Sequence, residues 1–208
     1  MTWPKISLFE CIHSQRAIRR FTDAPVSDET LATVLSAAIQ APSGGNRQPW
    51  YFLAVRDPAI KRRLGEWYLE AWSEVVAGMG EGASAQPYRS GAVLAREMQK
   101  VPVLILVCID RPGNGVETDQ LTRGASVYPA VQNLMLAARA LGLGSVLTTL
   151  HTRYESEVKE LLGIPEMVDT AALIPLGYPA EGERFGGARR RPLEEVTFYD
   201  RWGYTASA

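Results

Sequence analysis

The chain has little of what most enzymes use for catalysis. It has two cysteines, Cys11 and Cys108, 97 positions apart, and two histidines, His13 and His151. No CxxC and no His/Cys cluster exists, which excludes a zinc ribbon or a thioredoxin-type site, and no metal site is expected. Two isolated cysteines do not make a disulfide framework, so a reducing compartment is expected. Charge of one sign is also lacking. Lys+Arg is 22 against 23 Asp+Glu, a net charge of -1. A nucleic-acid binder shows a basic excess, and none is present. Residues 1–16 lack the apolar stretch of a signal peptide, so none is expected. The longest apolar run, Val101 to Ile109, falls far short of the roughly 18–20 residues that span a bilayer. A cytoplasmic protein with no membrane or nucleic-acid partner is expected.

What is present is ordinary in bulk and lopsided in detail. At 208 residues, 46% apolar and 22% charged, the chain has the size and composition of one globular domain, not of a disordered, collagen-like or coiled-coil protein. The cations are 18 Arg against 4 Lys. Two explanations stand side by side: a bias of the source genome, or arginines that bind planar, bidentate anions such as phosphate or carboxylate.

The order of elements is mixed. A short helix is expected over 5–14. Ser27 is an N-cap for a helix over 28–40, with Leu31, Val34, Leu35, Ala38 and Ile39 at helical spacing. A buried strand is expected from Trp50 to Val55 and a long helix from Pro58 to about Val76. Gly78, Gly80, Gly82, Ser84 and Pro87 predict a flexible loop, followed by a short helix over 89–98. Val103 to Ile109 is the clearest central strand. Residues 124–141 predict a helix stopped by Gly142 and Gly144. Val146–Leu150 predicts a strand and Glu155–Leu162 a helix closed by Gly163. Ala171–Leu176 predicts another strand, with Pro175 placing it near a sheet edge or strand end. No repeat or linker divides the chain, and the class is α+β or α/β.

Familiar catalytic motifs fail. Gly142-Leu143-Gly144 lacks a third glycine and ends a helix instead of opening one. No GxSxG elbow exists. His151, at the end of an expected strand, reads as a satisfied structural residue and not as a base. Three segments remain: Arg16-Ala17-Ile18-Arg19-Arg20-Phe21, Ala41-Pro42-Ser43-Gly44-Gly45-Asn46-Arg47-Gln48-Pro49-Trp50, and Arg189-Arg190-Arg191-Pro192-Leu193-Glu194-Glu195.

In this order these segments resemble the nitroreductase family of FMN-dependent oxidoreductases, whose APSxxNxQPW loop is reproduced by Ala41 to Trp50. Ala130–Leu134, Leu141–Gly144, Leu161–Pro165 and Ile174–Pro179 are collinear with later family segments, so the resemblance covers nearly the whole chain. It implies a single domain over 1–208 with a C-terminal extension from about 180. It implies an α+β fold, a mixed, mostly antiparallel sheet flanked by helices, in an intertwined homodimer. It implies FMN as cofactor, NADH or NADPH as electron donor, and a nitroaromatic, quinone or similar small-molecule acceptor. Other reactions of the superfamily stay open: reductive dehalogenation, flavin fragmentation, azoline oxidation. So does a flavin-binding dimer without turnover.

The resemblance also implies roles. Arg16, Arg19 and Arg190 would clamp the phosphate, a dianion-like group suited to arginine forks. Ala17 stands where relatives carry Ser, and Gln15 where they carry Arg. Pro42, Ser43, Gly44, Asn46 and Gln48 would reach the flavin bound mainly by the other subunit. Backbone at Thr149 or Leu150 would face the flavin N5 without the glycines common in relatives. Trp72 and Tyr88 are candidates for the acceptor pocket. No side chain is required as general acid or base, since the flavin carries the redox chemistry.

Overall fold

A computed structural model describes residues 6–79, 88–111 and 120–205. The loop expected between Gly80 and Pro87, and the turn residues Pro112 and Gly113, lie outside them.

Two early helices and a strand start the fold. Helix α1 (Leu8–Ser14) is capped by the Ser7 hydroxyl. In α2 (Asp28–Ala38) the Ser27 hydroxyl accepts the Thr30 N–H at 3.1 Å, the expected cap. Leu31, Val34 and Ala38 are buried there, while Ile39 lies beyond the last turn and is exposed. Strand β1 (Trp50–Val55) leads into α3 (Pro58–Ala77), whose first turn is held by Asp57 accepting from the N–H groups of Ala59 and Ile60. Then follow α4 (Tyr88–Glu97), β2 (Val103–Asp110), α5 (Gln120–Ala140), β3 (Gly144–Ser145), α6 (Glu155–Leu162) and β4 (Val168–Gly177).

The sheet order is β1-β2-β4-β3, and the three pairings are antiparallel. A parallel bridge joins Ala17 to Ser145 beside β3. β2 is buried on both faces, as its unbroken apolar run requires. Val103, Ile105, Val107 and Ile109 pack with α2 and α5. Leu104, Leu106 and Cys108 pack with α3, α4 and α6. Cys11 and Cys108 are free and buried, and burial pushes the Cys108 thiol up to about 12. Among the described residues no helix is long and apolar enough to cross a membrane.

β4 is an interior strand, flanked by β2 and β3, and Pro175 stands two residues from its end, so of the sheet edge and the strand end that proline allowed, the strand end holds. Two expectations are corrected. The Leu173 N–H bonds Thr148 O at 2.8 Å. Side alternation puts the missing N–H of Pro175 on that same flank, opposite residues 146–147. There the ladder lapses, so the strand expected over Val146–Leu150 does not form. Pairing ends at Ser145, one bridge survives at Thr148, and a 3₁₀ turn runs over Leu150–Tyr154. Finally, α5 starts four residues before the expected position and runs through Pro129. Arg123, within that added turn, is anchored to Asp169 of β4 at 2.8 Å.

Candidate functional site

The segment Arg16–Phe21 lies along the open edge of the sheet. The Ile18 N–H donates to Ser145 O at 3.1 Å, and Phe21 bridges Pro179. Ile18 is fully buried, and a Cβ at Gly144 would stand 2.6 Å from its Cγ2. Only glycine lets the segment sit this close. Arg20 is occupied by Glu183 at 2.9 Å.

Arg19 turns inward. It is half-buried and donates to Ser90 Oγ at 3.4 Å. Burial lowers its pKa, opposed by the Tyr68 phenol and Glu183 and reinforced by the Arg16 charge. It lines a cleft of 180 Å³ with Tyr68, Trp72, Tyr88, Val146, Thr148 and Leu150. Sequence reasoning named four of the cleft's residues: Arg19, Trp72, Tyr88 and Leu150. The structure brings these four together. The Trp72 and Tyr88 rings stand 6.5 Å apart at 40°. Trp72 lies directly on the α4 backbone, its Cη2 2.3 Å from where a Cβ of Gly91 would be.

Tyr68 and Thr148 escaped the sequence reading. Tyr68 follows Leu64 at helical spacing and reads as core. The available signal was its hydroxyl, because a buried tyrosine needs a partner for its O–H. That partner is Thr148 Oγ1, 3.1 Å away.

Arg16 and Arg190 have a different setting. Both are exposed, and among the described residues neither forms an ion pair. The C-terminal segment returns to the end of α1: the Gly186 N–H donates to Ser14 O at 2.9 Å, and the Arg139 guanidinium covers the Phe185 ring at 4.2 Å. Arg16 and Arg190 flank this junction closely in sequence. Arg191 is tied back to Glu195. The three arginines expected to act as one clamp are thus two solvated groups near a junction and one desolvated group in a cleft.

The Ser43–Gln48 loop is held by its own side chains. The Gln48 N–H donates to Ser43 Oγ at 2.9 Å, and Gln48 Nε2 donates to Asn46 Oδ1 at 3.3 Å. The Gly44 N–H reaches Ser126 Oγ on α5 at 3.3 Å. Gly45, Asn46 and Gln48 adopt φ of 58°, 53° and 51°. That is strained for Gln48, and strain retained in a surface loop points to a functional constraint. Pro42 is exposed at the loop's start. Within one chain this loop does not line the Arg19 cleft. Gly44 and Gly45 border a separate 400 Å³ hollow at the start of α5. Ala17 packs against the apolar cluster under α3 and contributes no polar side chain.

Thr149 and Leu150 part company. Leu150 lines the Arg19 cleft, and Thr149 lines a 480 Å³ hollow with Arg123, Glu155 and Asp169. Arg123 pairs with Asp169, and Glu155 accepts from the Thr170 N–H and O–H, both at 2.7 Å. Burial would raise the Asp169 carboxyl, but hydrogen bonds from Arg123 and Arg111 outweigh it and hold the pKa low. His151 corrects an expectation: it is buried, yet among the described residues neither ring nitrogen has a hydrogen-bond partner, and burial pushes its pKa down to about 4 against the charge of Glu155.

Comparison with known proteins bears on this arrangement. The profile of the nitroreductase family matches residues 12–178. An NADH dehydrogenase of Thermus thermophilus is 31% identical over 210 residues, covering 95% of this chain and 98% of that protein. A 5,6-dimethylbenzimidazole synthase of Rhodospirillum rubrum is 32% identical over 197 residues, covering 86% and 87%. The structure of an oxidized iodotyrosine deiodinase bound to FMN and 3-iodo-L-tyrosine superposes with a TM-score of 0.73 at 25% identity, covering 92% of this chain and 100% of that one.

Proposed function

The chain belongs to the nitroreductase family, and from that premise we propose that it is an FMN-dependent oxidoreductase, working as a homodimer, that passes electrons from NADH or NADPH to a nitroaromatic, quinone or similar small acceptor. The observation that carries this reading is the Arg19 cleft. It combines a desolvated cation, an aromatic wall from Trp72 and Tyr88, and the Thr148–Leu150 turn where the sheet ladder lapses.

The residues present fit FMN. A flat, electron-accepting ring needs apolar walls and a positive charge where electron density accumulates. Arg19 is poorly solvated, so its charge acts there with little screening. We therefore assign Arg19 to the ring, and the phosphate to the exposed Arg16 and Arg190. Guanidinium forks bind phosphate through charge-assisted bonds. Ser43, Gly44 and Asn46 present hydroxyl, amide and backbone groups on a preformed loop outside the cleft of their own chain, which suits a contact made across the dimer. FMN supplies the exchange of hydride and electrons between donor and acceptor. The protein binds the two substrates, excludes water behind Trp72 and Tyr88, and sets the local charge.

The test is a spectrum followed by a donor and acceptor screen. Purified protein is expected to be yellow and to oxidise NADH or NADPH when a nitroaromatic or quinone is added, with ping-pong kinetics. Protein that neither carries nor takes up FMN overturns the proposal. Flavin-loaded protein that reacts poorly with both nicotinamides moves the chain to another reaction of the superfamily or to a binding role.

A further inference from the structure

The two rings that wall the Arg19 cleft also face a second hollow. Trp72 and Tyr88 border a groove of 700 Å³ between α3 and α4, next to the 180 Å³ cleft. On the α3 side Leu69, Trp72 and Val76 line it at helical spacing, and Leu69 is left exposed. On the α4 side Arg89, Ala92 and Arg96 share one face. Ala92 is too small to fill the space between the two arginines.

These arginines carry charge that no neighbouring carboxylate neutralises. Both are exposed, and among the described residues neither forms an ion pair. The four carboxylates on α3 and α4 are turned elsewhere. Glu66 pairs with Arg63 at 2.9 Å, Glu74 with Arg153 at 2.5 Å and Glu97 with Lys100 at 3.2 Å, while Glu70 faces Tyr154. Guanidinium forks beside an apolar, aromatic floor suit an anion carried on a flat ring system.

Size and spacing select among such ligands. Ordinary ligand pockets hold about 300–1,000 Å³. The cleft falls below that range and the groove within it. The cleft thus suits a ring, and the groove suits the remainder of a larger molecule. Arg89 adjoins Tyr88, and Arg96 lies two turns further along, about 10 Å of helix axis. That spacing matches two anionic groups better than a single carboxylate. NADPH has this form, with a reacting ring at one end and an adenosine phosphorylated at 5′ and 2′ at the other. NADH lacks the 2′-phosphate.

We propose that the α3–α4 groove is the adenosine site of the electron donor and selects NADPH over NADH, with Arg89 on the 5′-phosphate side and Arg96 on the 2′-phosphate. The use of the donor rests on the flavin reading above; the binding of the nucleotide does not.

The test is calorimetric titration of the purified protein with 2′,5′-ADP, 5′-AMP and 4-nitrobenzoate, followed by donor kinetics. Wild type should bind 2′,5′-ADP about tenfold more tightly than 5′-AMP. Arg89→Ala and Arg96→Ala should each weaken 2′,5′-ADP by about tenfold, the lower end for a hydrogen bond to a charged group. Arg96→Lys should recover part of the loss. In Arg96→Ala the KM for NADPH should rise about tenfold at unchanged kcat, with the KM for NADH moving less than about twofold. Ala92→Leu, which fills the space between the arginines, should weaken 2′,5′-ADP as well. Wild-type affinity for 2′,5′-ADP in both alanine variants overturns the proposal, as does equal use of NADH and NADPH. Binding of 4-nitrobenzoate through the two arginines, without binding of 2′,5′-ADP, assigns the groove to an acidic acceptor and overturns the donor site. Protein that carries FMN but binds no 2′,5′-ADP overturns this proposal alone. Protein that takes up no FMN, yet binds 2′,5′-ADP through Arg89 and Arg96, overturns the flavin reading and upholds the nucleotide site.

Discussion

The Ser43–Gln48 loop and the Arg19 cleft hold the same kinds of groups, hydroxyls and amide N–H donors, by opposite means. In the loop the side-chain partners are two to five residues apart, Ser43 with Gln48 and Gln48 with Asn46, and one backbone N–H, that of Gly44, reaches out to Ser126. The groups stay exposed, and the cost is local, in three residues with positive φ. In the cleft the partners are 80 residues apart for Tyr68 and Thr148 and 71 for Arg19 and Ser90. The groups are buried or half-buried, and a single local bond, from the Leu150 N–H to Thr148 Oγ1, accompanies these distant ones. A surface loop that bonds to itself can be altered without loosening the fold. A cleft assembled from distant segments cannot.

The sharpest way to break this contrast is Ile18→Ala. Ile18 is fully buried against Gly144 and pins the segment that carries Arg19. Its truncation should cost about 2–5 kcal/mol in urea unfolding. Arg16→Ala, two residues away and exposed, should change stability by less than about 0.5 kcal/mol while loosening FMN. Equal costs at the two positions would refute the division between frame and surface.

Next in size is the response to acid. His151 sits in the turn directly after Leu150, and burial drives its pKa down to about 4. Above pH 6.5 the ring is neutral in the folded and unfolded states alike. As pH falls below 6.5 the unfolded chain gains a proton that the folded one refuses, so stability is lost between pH 6.5 and 4 and then levels off. The full loss is on the order of 3 kcal/mol. Urea unfolding at pH 7 and pH 5 should show most of it, and His151→Gln should flatten the difference. An unchanged pH dependence in that variant would remove His151 as the cause.

Gly91→Ala tests the aromatic wall. The new methyl would overlap the Trp72 ring, which must move, at a cost of about 1–3 kcal/mol. The Trp fluorescence and the acceptor KM should both change. A small effect on stability is also expected in the loop. Gln48→Gly relieves a positive φ but loosens the unfolded chain, so its net effect should lie within about 1 kcal/mol. FMN should nevertheless bind several-fold more weakly. A large loss of stability there would mean that the loop belongs to the frame after all.

The two regions also differ in how far they could be read in advance. The loop was legible residue by residue, because proline, glycine, serine and asparagine act on their own neighbours. The helix cap at Ser27 and the central strand β2 were legible for the same reason. The interior place of β4 was not, since Pro175 tells only which N–H is missing and not what faces it. The end of pairing after Ser145 followed from that gap, together with the turn that carries Leu150 and His151. Arg16, Arg19 and Arg190 read as one group from sequence, yet Arg19 is separated from the other two by desolvation, which depends on α3 and α4 closing over it.

By itself the sequence determined the family and, through that resemblance, the α+β class, because the family is carried by a local motif, the Ala41–Trp50 loop, and by collinear segments along the chain. Only the tertiary structure decided which arginine is desolvated and which tyrosine meets which threonine. Those are outcomes of burial and proximity between segments up to 80 residues apart, and no local pattern encodes them.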